Sequence, residues 1–342
     1  MFLLLALIFF ISLLFVVILL FKFVWKEDTR LRNFSLNALL IIFTVLFMFI
    51  ILEFYFCFFV IKSDGFGFTL SSKKWFSKYW EPINSLGYRD IEHSEEDFIN
   101  KKTIFVIGDS FIAGHGLKDY EDRFSNLMQV ELDNEYVVLN IAKNGWNTPE
   151  EYGAILSYPY ARPDLIILSY FINDIETAAF KCGIKRPVLI YPPSRTIAPL
   201  IDNSYFLNYI YWRLYRFYNT NFGQIYWNYL KKCYFNNKVF ELHKKELLRL
   251  INYTREQNIN VISVVFPNLM AIEASKPFTS PIVDFFKGNN IDCIDLAEML
   301  SGRDPNDIII NNLDGHPNEK LNREIADILL TKINVIEKNS DF

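Results

Sequence analysis

Residues 2–21 of this chain contain a single side chain that is not apolar, Ser12, and no other feature restricts the fold as much. At 1.5 Å per residue, twenty helical residues cover about 30 Å, the thickness of a bilayer's hydrocarbon core. A second run, 36–61, is longer and holds one charge, Glu53, about two turns from its end. A cleavable signal peptide would want a basic start, a shorter apolar stretch and a small-residue cleavage site, none of which is present. Both runs are therefore expected to be retained helices, a two-span anchor over 1–62. The first 61 residues as a whole include 48 apolar ones, which leaves roughly 45% in the remainder, the level of an ordinary soluble domain. A net charge of −4 and a pI near 5.7 give no composition-level case for nucleic-acid binding.

Between the runs lie Lys22, Lys26, Arg30 and Arg32, whereas nothing basic precedes the first and only Lys62 closely follows the second. The positive-inside bias puts that short loop in the cytoplasm and everything after Lys62 outside, although Lys73, Lys74 and Lys78 dilute the asymmetry. Glu53 is expected near the outer interface or facing the partner helix, with a functional intramembrane acid as the alternative. The four cysteines, Cys57, Cys182, Cys233 and Cys293, allow either a Cys182 to Cys233 bridge or free buried thiols. Neither CxxC nor Cys/His spacing suggests zinc.

From Lys101 short apolar runs alternate with longer amphipathic ones, the pattern of a parallel sheet covered by helices on both faces. Strands are expected at 103–107, 136–141, 165–170, 261–266 and 291–294, and helices at 151–158, 240–257 and 317–333. The domain reading is thus an anchor at 1–62, a connector rich in Trp and Tyr packed on the domain at 63–100, and an α/β domain at 101–342. An insertion at 175–240 breaks the alternation: 14 of its residues 204–235 are Phe, Tyr or Trp. It reads as a lid or wall for an acyl or glycan substrate, a surface at the membrane interface, or a packed helical hairpin.

In open parallel sheets, sites collect at the carboxyl ends of the strands. The first strand runs into Gly108-Asp109-Ser110, with Gly114 and Gly116 behind it. A serine after a strand and a tight turn, opening a helix, presents its hydroxyl at the sheet edge beside backbone N–H groups, as a nucleophile requires. The stretch 108–116 matches neither GxGxxG nor GxxxxGK[ST], so no phosphate loop is indicated. Of the four histidines, His93 and His243 lie in charged surroundings and read as solvated, and His115 stands five residues from Ser110 in poor geometry for a base. His316 is different: it sits in Asp314-Gly315-His316-Pro317, read as a turn before the last helix, with Asp314 placed to hold its ring.

These blocks, with Gly145 after the second strand, Asn173-Asp174 after the third and the lead-in 84–89, resemble the SGNH, or GDSL-like, hydrolase family, in particular its membrane-anchored bacterial members. The resemblance covers roughly 84–333 and implies a three-layer α/β/α, flavodoxin-like sheet performing serine acyl chemistry without cofactor or metal. It makes Ser110 the nucleophile and His316 the base, with the Ser110 and Gly145 N–H groups and the Asn173 amide as oxyanion hole. One departure stands out. The family's usual acid position, three residues before the histidine, is Leu313 here, so Asp314 serves or a Ser-His dyad remains. The implied function is a membrane-anchored, extracytoplasmic serine esterase of a bacterial plasma membrane. Its implied substrate is an acyl ester, such as O-acetyl, on an envelope glycan or lipid. An O-acyltransferase using the same site, or a non-catalytic envelope-assembly or binding protein, is the alternative.

Overall fold

The computed structural model describes residues 14, 16, 17, 30–132, 135–219 and 222–340. The first apolar run, 2–21, lies outside the described residues apart from Leu14, Val16 and Val17. The second is a helix, Arg30–Phe59, whose stretch Asn37–Phe59 (23 residues, mean hydropathy 2.7) is long and apolar enough to cross a membrane.

The chain forms two compact units. One comprises 1–62, 67–75 and 190–220; the other comprises 63–66, 76–189 and 221–342, and carries the sheet. Within the expected connector, Leu70–Tyr79 is a helix. The aromatic insertion is also divided, its helix Tyr205–Tyr218 falling in the first unit and its helix Phe222–Tyr234 in the second.

Five strands, β1 (Lys102–Gly108), β2 (Tyr136–Ala142), β3 (Leu165–Phe171), β4 (Asn260–Phe266) and β5 (Asp292–Asp295), form an all-parallel sheet in the order β2-β1-β3-β4-β5. This is the flavodoxin-like order, with its switch point between β1 and β3. Parallel strands covered on both faces need apolar side chains at successive positions, and β2 is buried throughout. Alternation then assigns the faces: Ile104 and Val106 join one core with Phe124, Met128 and Leu329, while Phe105 and Ile107 join the other with Leu250 and Phe286. These are the three α/β/α layers.

His243 is a correction to the solvated reading. It is buried, because the helix Asn237–Glu256 turns the stripe Val239, His243, Leu247, Leu250, Ile251 inward. Its Nε2 donates to the Tyr170 hydroxyl (3.0 Å), which contacts that of Tyr234 (2.6 Å), which in turn donates to the Ile172 carbonyl (3.1 Å). The second-unit half of the insertion is core packing: Tyr229, Leu230 and Cys233 are buried, and Trp227 stacks on Phe278 at 5.5 Å. His93 is a second correction to the solvated reading: its side chain is only 7% exposed, between Asp90 (3.8 Å) and Asp97 (3.9 Å). All four cysteines are free.

Candidate active site

β1 ends at Gly108 because nothing larger fits there: a Cβ would stand 2.5 Å from Ile112 Cγ1 and 2.8 Å from Ser169 Cβ. Asp109 then caps the short helix Ser110–Ala113, its carboxylate accepting from Phe111 N–H (2.9 Å). Ser110 is thereby held at the carboxyl edge of the sheet, half-buried. Gly114 closes the helix in the left-handed conformation (φ 73°), and Gly116 (φ 92°) passes so near the next loop that a Cβ would lie 2.8 Å from Asp314 Oδ2.

The turn expected before the last helix is a short strand. β6 (Ile309–Asn311) pairs antiparallel with β7 (Asp314–Pro317), and the helix Glu319–Ser340 starts after Asn318, whose Oδ1 accepts from Leu321 N–H (3.0 Å). β7 brings Asp314 and His316 to Ser110. His316 Nδ1 lies 2.5 Å from Asp314 Oδ1, and His316 Nε2 lies 2.8 Å from Ser110 Oγ. A carboxylate can only accept, so Nδ1 carries the proton and Nε2 is left to accept from the Ser110 hydroxyl. That tautomer can take a proton from serine and hold the positive charge beside Asp314. The two-residue spacing lets Asp314 reach the ring, despite Leu313 at the three-residue position.

Asp314 is fully buried. Burial alone would raise its pKa, but the His316 ring, His115 and the Ser63 hydroxyl outweigh it and hold the carboxyl at about 2. Ser63 and its neighbours escaped the sequence reading. Ser63 Oγ donates to Asp314 Oδ2, the Ser63 carbonyl accepts from Asn311 Nδ2 (3.2 Å), and Gly65 N–H donates to the Leu313 carbonyl (2.9 Å). Residues 63–66 are thus stitched along the loop that carries the histidine.

His115 does not bond to Ser110; it lies flat against His316, ring centroids 4.4 Å apart and planes within 5°. Its Nε2 donates to the Asp64 carbonyl (2.9 Å), and its Nδ1 accepts from Asn144 Nδ2 (3.5 Å). Burial, then the nearby His316, lowers its pKa to about 4, so the ring is neutral at pH 7. Its loop is pinned by Arg89, from the expected lead-in, whose guanidinium donates to the carbonyls of Gly114 (2.6 Å), Leu117 (2.9 Å) and Tyr79 (2.7 Å).

Asn173 follows β3 by two residues and Gly145 follows β2 by three, so both stand at the same sheet edge as Ser110. Asn173 Nδ2 donates to Asp109 Oδ2 (3.3 Å), which fixes the amide orientation and leaves a second N–H. Gly145 takes φ +79° in an exposed turn. As a metal site, the candidate among the described residues is His115, Asp314 and His316, whose ligand atoms lie within 4.8 Å of one another. Their nitrogens and carboxylate oxygens are already committed to Asp64, Asn144, Ser110, Ser63 and each other.

Comparison with protein-family models and with curated proteins gives no match. Among solved structures the chain is similar to an acetyl xylan esterase, at 17% identity over 68% of this chain and 99% of that one, TM-score 0.40. It is similar also to a structure described as a lipolytic protein of the G-D-S-L family from Desulfitobacterium hafniense DCB-2 (13%, covering 66% and 97%, TM-score 0.40). A third is a carbohydrate acetylesterase family member from Sinorhizobium meliloti (15%, covering 68% and 98%, TM-score 0.39). Likenesses at these identities and TM-scores carry no argument about chemistry, which rests on the geometry above.

Proposed function

We propose that the chain is a serine esterase that hydrolyses acyl esters through an acyl-serine. The observation that carries this reading is the continuous relay from Ser110 Oγ through His316 to a buried, ionised Asp314. His316 Nε2 takes the Ser110 proton as Oγ attacks the ester carbonyl. The oxyanion is received by the N–H groups of Ser110 and Gly145 and the second N–H of Asn173. His316 then protonates the leaving alkoxide, and water repeats the sequence in reverse to release the acid. Asp314 orients the imidazole and stabilises its cation without taking the proton.

The site is open on the side of Gly145 and Asn144, both exposed, in keeping with a substrate larger than the acyl group itself. We assign that substrate to acylated glycans or lipids of the cell envelope, O-acetyl esters first. The chain is held at the membrane by the span Asn37–Phe59 together with the run 2–21, the second unit lying outside the cytoplasm. A fluorophosphonate probe should label the wild-type protein, and Ser110→Ala should abolish the labelling. A wild type that stays unlabelled while folded sinks the enzyme reading.

A further inference from the structure

Glu53 lies six residues before the end of the helix Arg30–Phe59, about 9 Å below it at 1.5 Å per residue, and is fully buried. An unpaired carboxylate at that depth is costly, and this one is fully engaged. It accepts from Ser204 Oγ (2.7 Å), Tyr205 N–H (2.8 Å) and Phe206 N–H (3.0 Å). The three donors are the N-cap and the first two residues of the helix Tyr205–Tyr218, where a negative charge also meets the positive end of the helix dipole. Aromatic contacts extend the junction: Phe206 packs on Phe49 (5.7 Å) and Phe56 (5.5 Å), and Tyr209 on Phe56 (4.4 Å). Phe49 is ten residues from the helix end, so the insertion reaches well down the side of the span. Lys74 marks the upper level, its ammonium at the Cys57 carbonyl (2.5 Å) and over the rings of Phe58 and Tyr205.

The face of Tyr205–Tyr218 turned away from these contacts is apolar and exposed. Ile210, Leu214 and Tyr218 repeat at four-residue spacing, with Ile197 and Leu200 exposed just upstream. Arg213 is exposed on the flank nearer the span, its guanidinium over the Tyr209 ring (5.0 Å). Asp202 and Asn203, exposed immediately before Ser204, fit headgroups rather than hydrocarbon. Apolar residues and Tyr on one face, with an exposed Arg on the flank, at about 9 Å below the end of a span, match a helix lying in the headgroup–acyl boundary.

We infer that the helix Tyr205–Tyr218 is a lipid-contacting interfacial helix, clamped to the span by Glu53, with the bilayer itself covering its apolar face. The inference rests on the reading of Asn37–Phe59 as a membrane span and adds a second segment, distant in sequence, at membrane depth. The test uses the full chain with its four cysteines replaced, folding checked by its melting transition, in phosphatidylethanolamine/phosphatidylglycerol (3:1) vesicles. Nitroxides are placed singly at Leu214, at Phe47 in the span and at Val130 on the sheet unit, and power saturation compares oxygen with a nickel chelate. The Leu214 label should be several-fold more oxygen-accessible relative to nickel than the Val130 label, and less so than the Phe47 label. Glu53→Leu should move Leu214 towards the Val130 value, whereas Glu53→Gln should change it little. Phe47 in lipid with Leu214 in water overturns the inference alone; Phe47 in water removes the span and the inference with it. A Leu214 value unmoved by Glu53→Leu overturns the clamp.

Discussion

Asp314 is ionised where burial by itself would keep it neutral, and the groups responsible come from three separated parts of the chain. His316 and His115 face it from the site, and Ser63 donates to the oxygen that His316 leaves unused. Hydrogen bonds to a buried charge are worth about 1.5–3 kcal/mol. Removing the Ser63 hydroxyl should therefore loosen the carboxylate and, through it, the imidazole. We expect Ser63→Ala to lower kcat about tenfold, equivalent to about 1.4 kcal/mol, with KM nearly unchanged and Ser63→Thr restoring the rate. An unchanged kcat in Ser63→Ala would show that the bond contributes nothing. Ser110, Asp314 and His316 were legible because serine behind a glycine turn and one of only four histidines form a scarce combination. Ser63 was not: a lone serine 251 residues from its partner carries no local pattern. His115 was legible as a neighbour of Ser110, but its stacking on His316 depends on a loop that returns from the far end of the chain.

At the scale of elements, hydrophobic periodicity located every strand of the sheet to within a residue or two, since parallel strands buried on both faces read as unbroken apolar runs. It did not find β6 and β7, only 3 and 4 residues long, which pair because the loop folds on itself. The helix Asn237–Glu256 misled for another reason. His243 was placed on its charged face, yet it is four residues from both Val239 and Leu247 and shares their buried stripe. The junction of β1 with the helix Ser110–Ala113 is the tightest point described at the site. Gly108→Ala should destabilise the protein by about 1–3 kcal/mol through overpacking against Ile112 and Ser169, and thermal or urea unfolding would measure it. A variant as stable as wild type would mean that Ile112 yields without cost.

For the molecule as a whole, buried acids set a dependence on pH that the net charge does not foretell. Burial, then the charge of Asp109, raises the Glu151 pKa well above its ordinary value, and its Oε1 has no hydrogen-bond partner. The folded form holds a proton that the unfolded chain releases above about pH 4.5, so this group lowers stability as pH rises from there towards its folded pKa. Glu151→Gln should raise the melting temperature at pH 8 by about 2–4 °C while changing it little at pH 4. Equal shifts at both values would rule out the protonation account. The division of the aromatic insertion was invisible in composition, because the same residues serve one helix that packs on the sheet unit's core and another that grips the apolar span. Finally, the relay joins Ser110 and His316, which stand 206 positions apart. At about 5–20 residues per second, a ribosome needs roughly 10–40 s after making Ser110 to reach His316. Under the proposed function, the emerging chain through that interval carries the nucleophile without its base, so the order of synthesis itself keeps an unfinished copy silent.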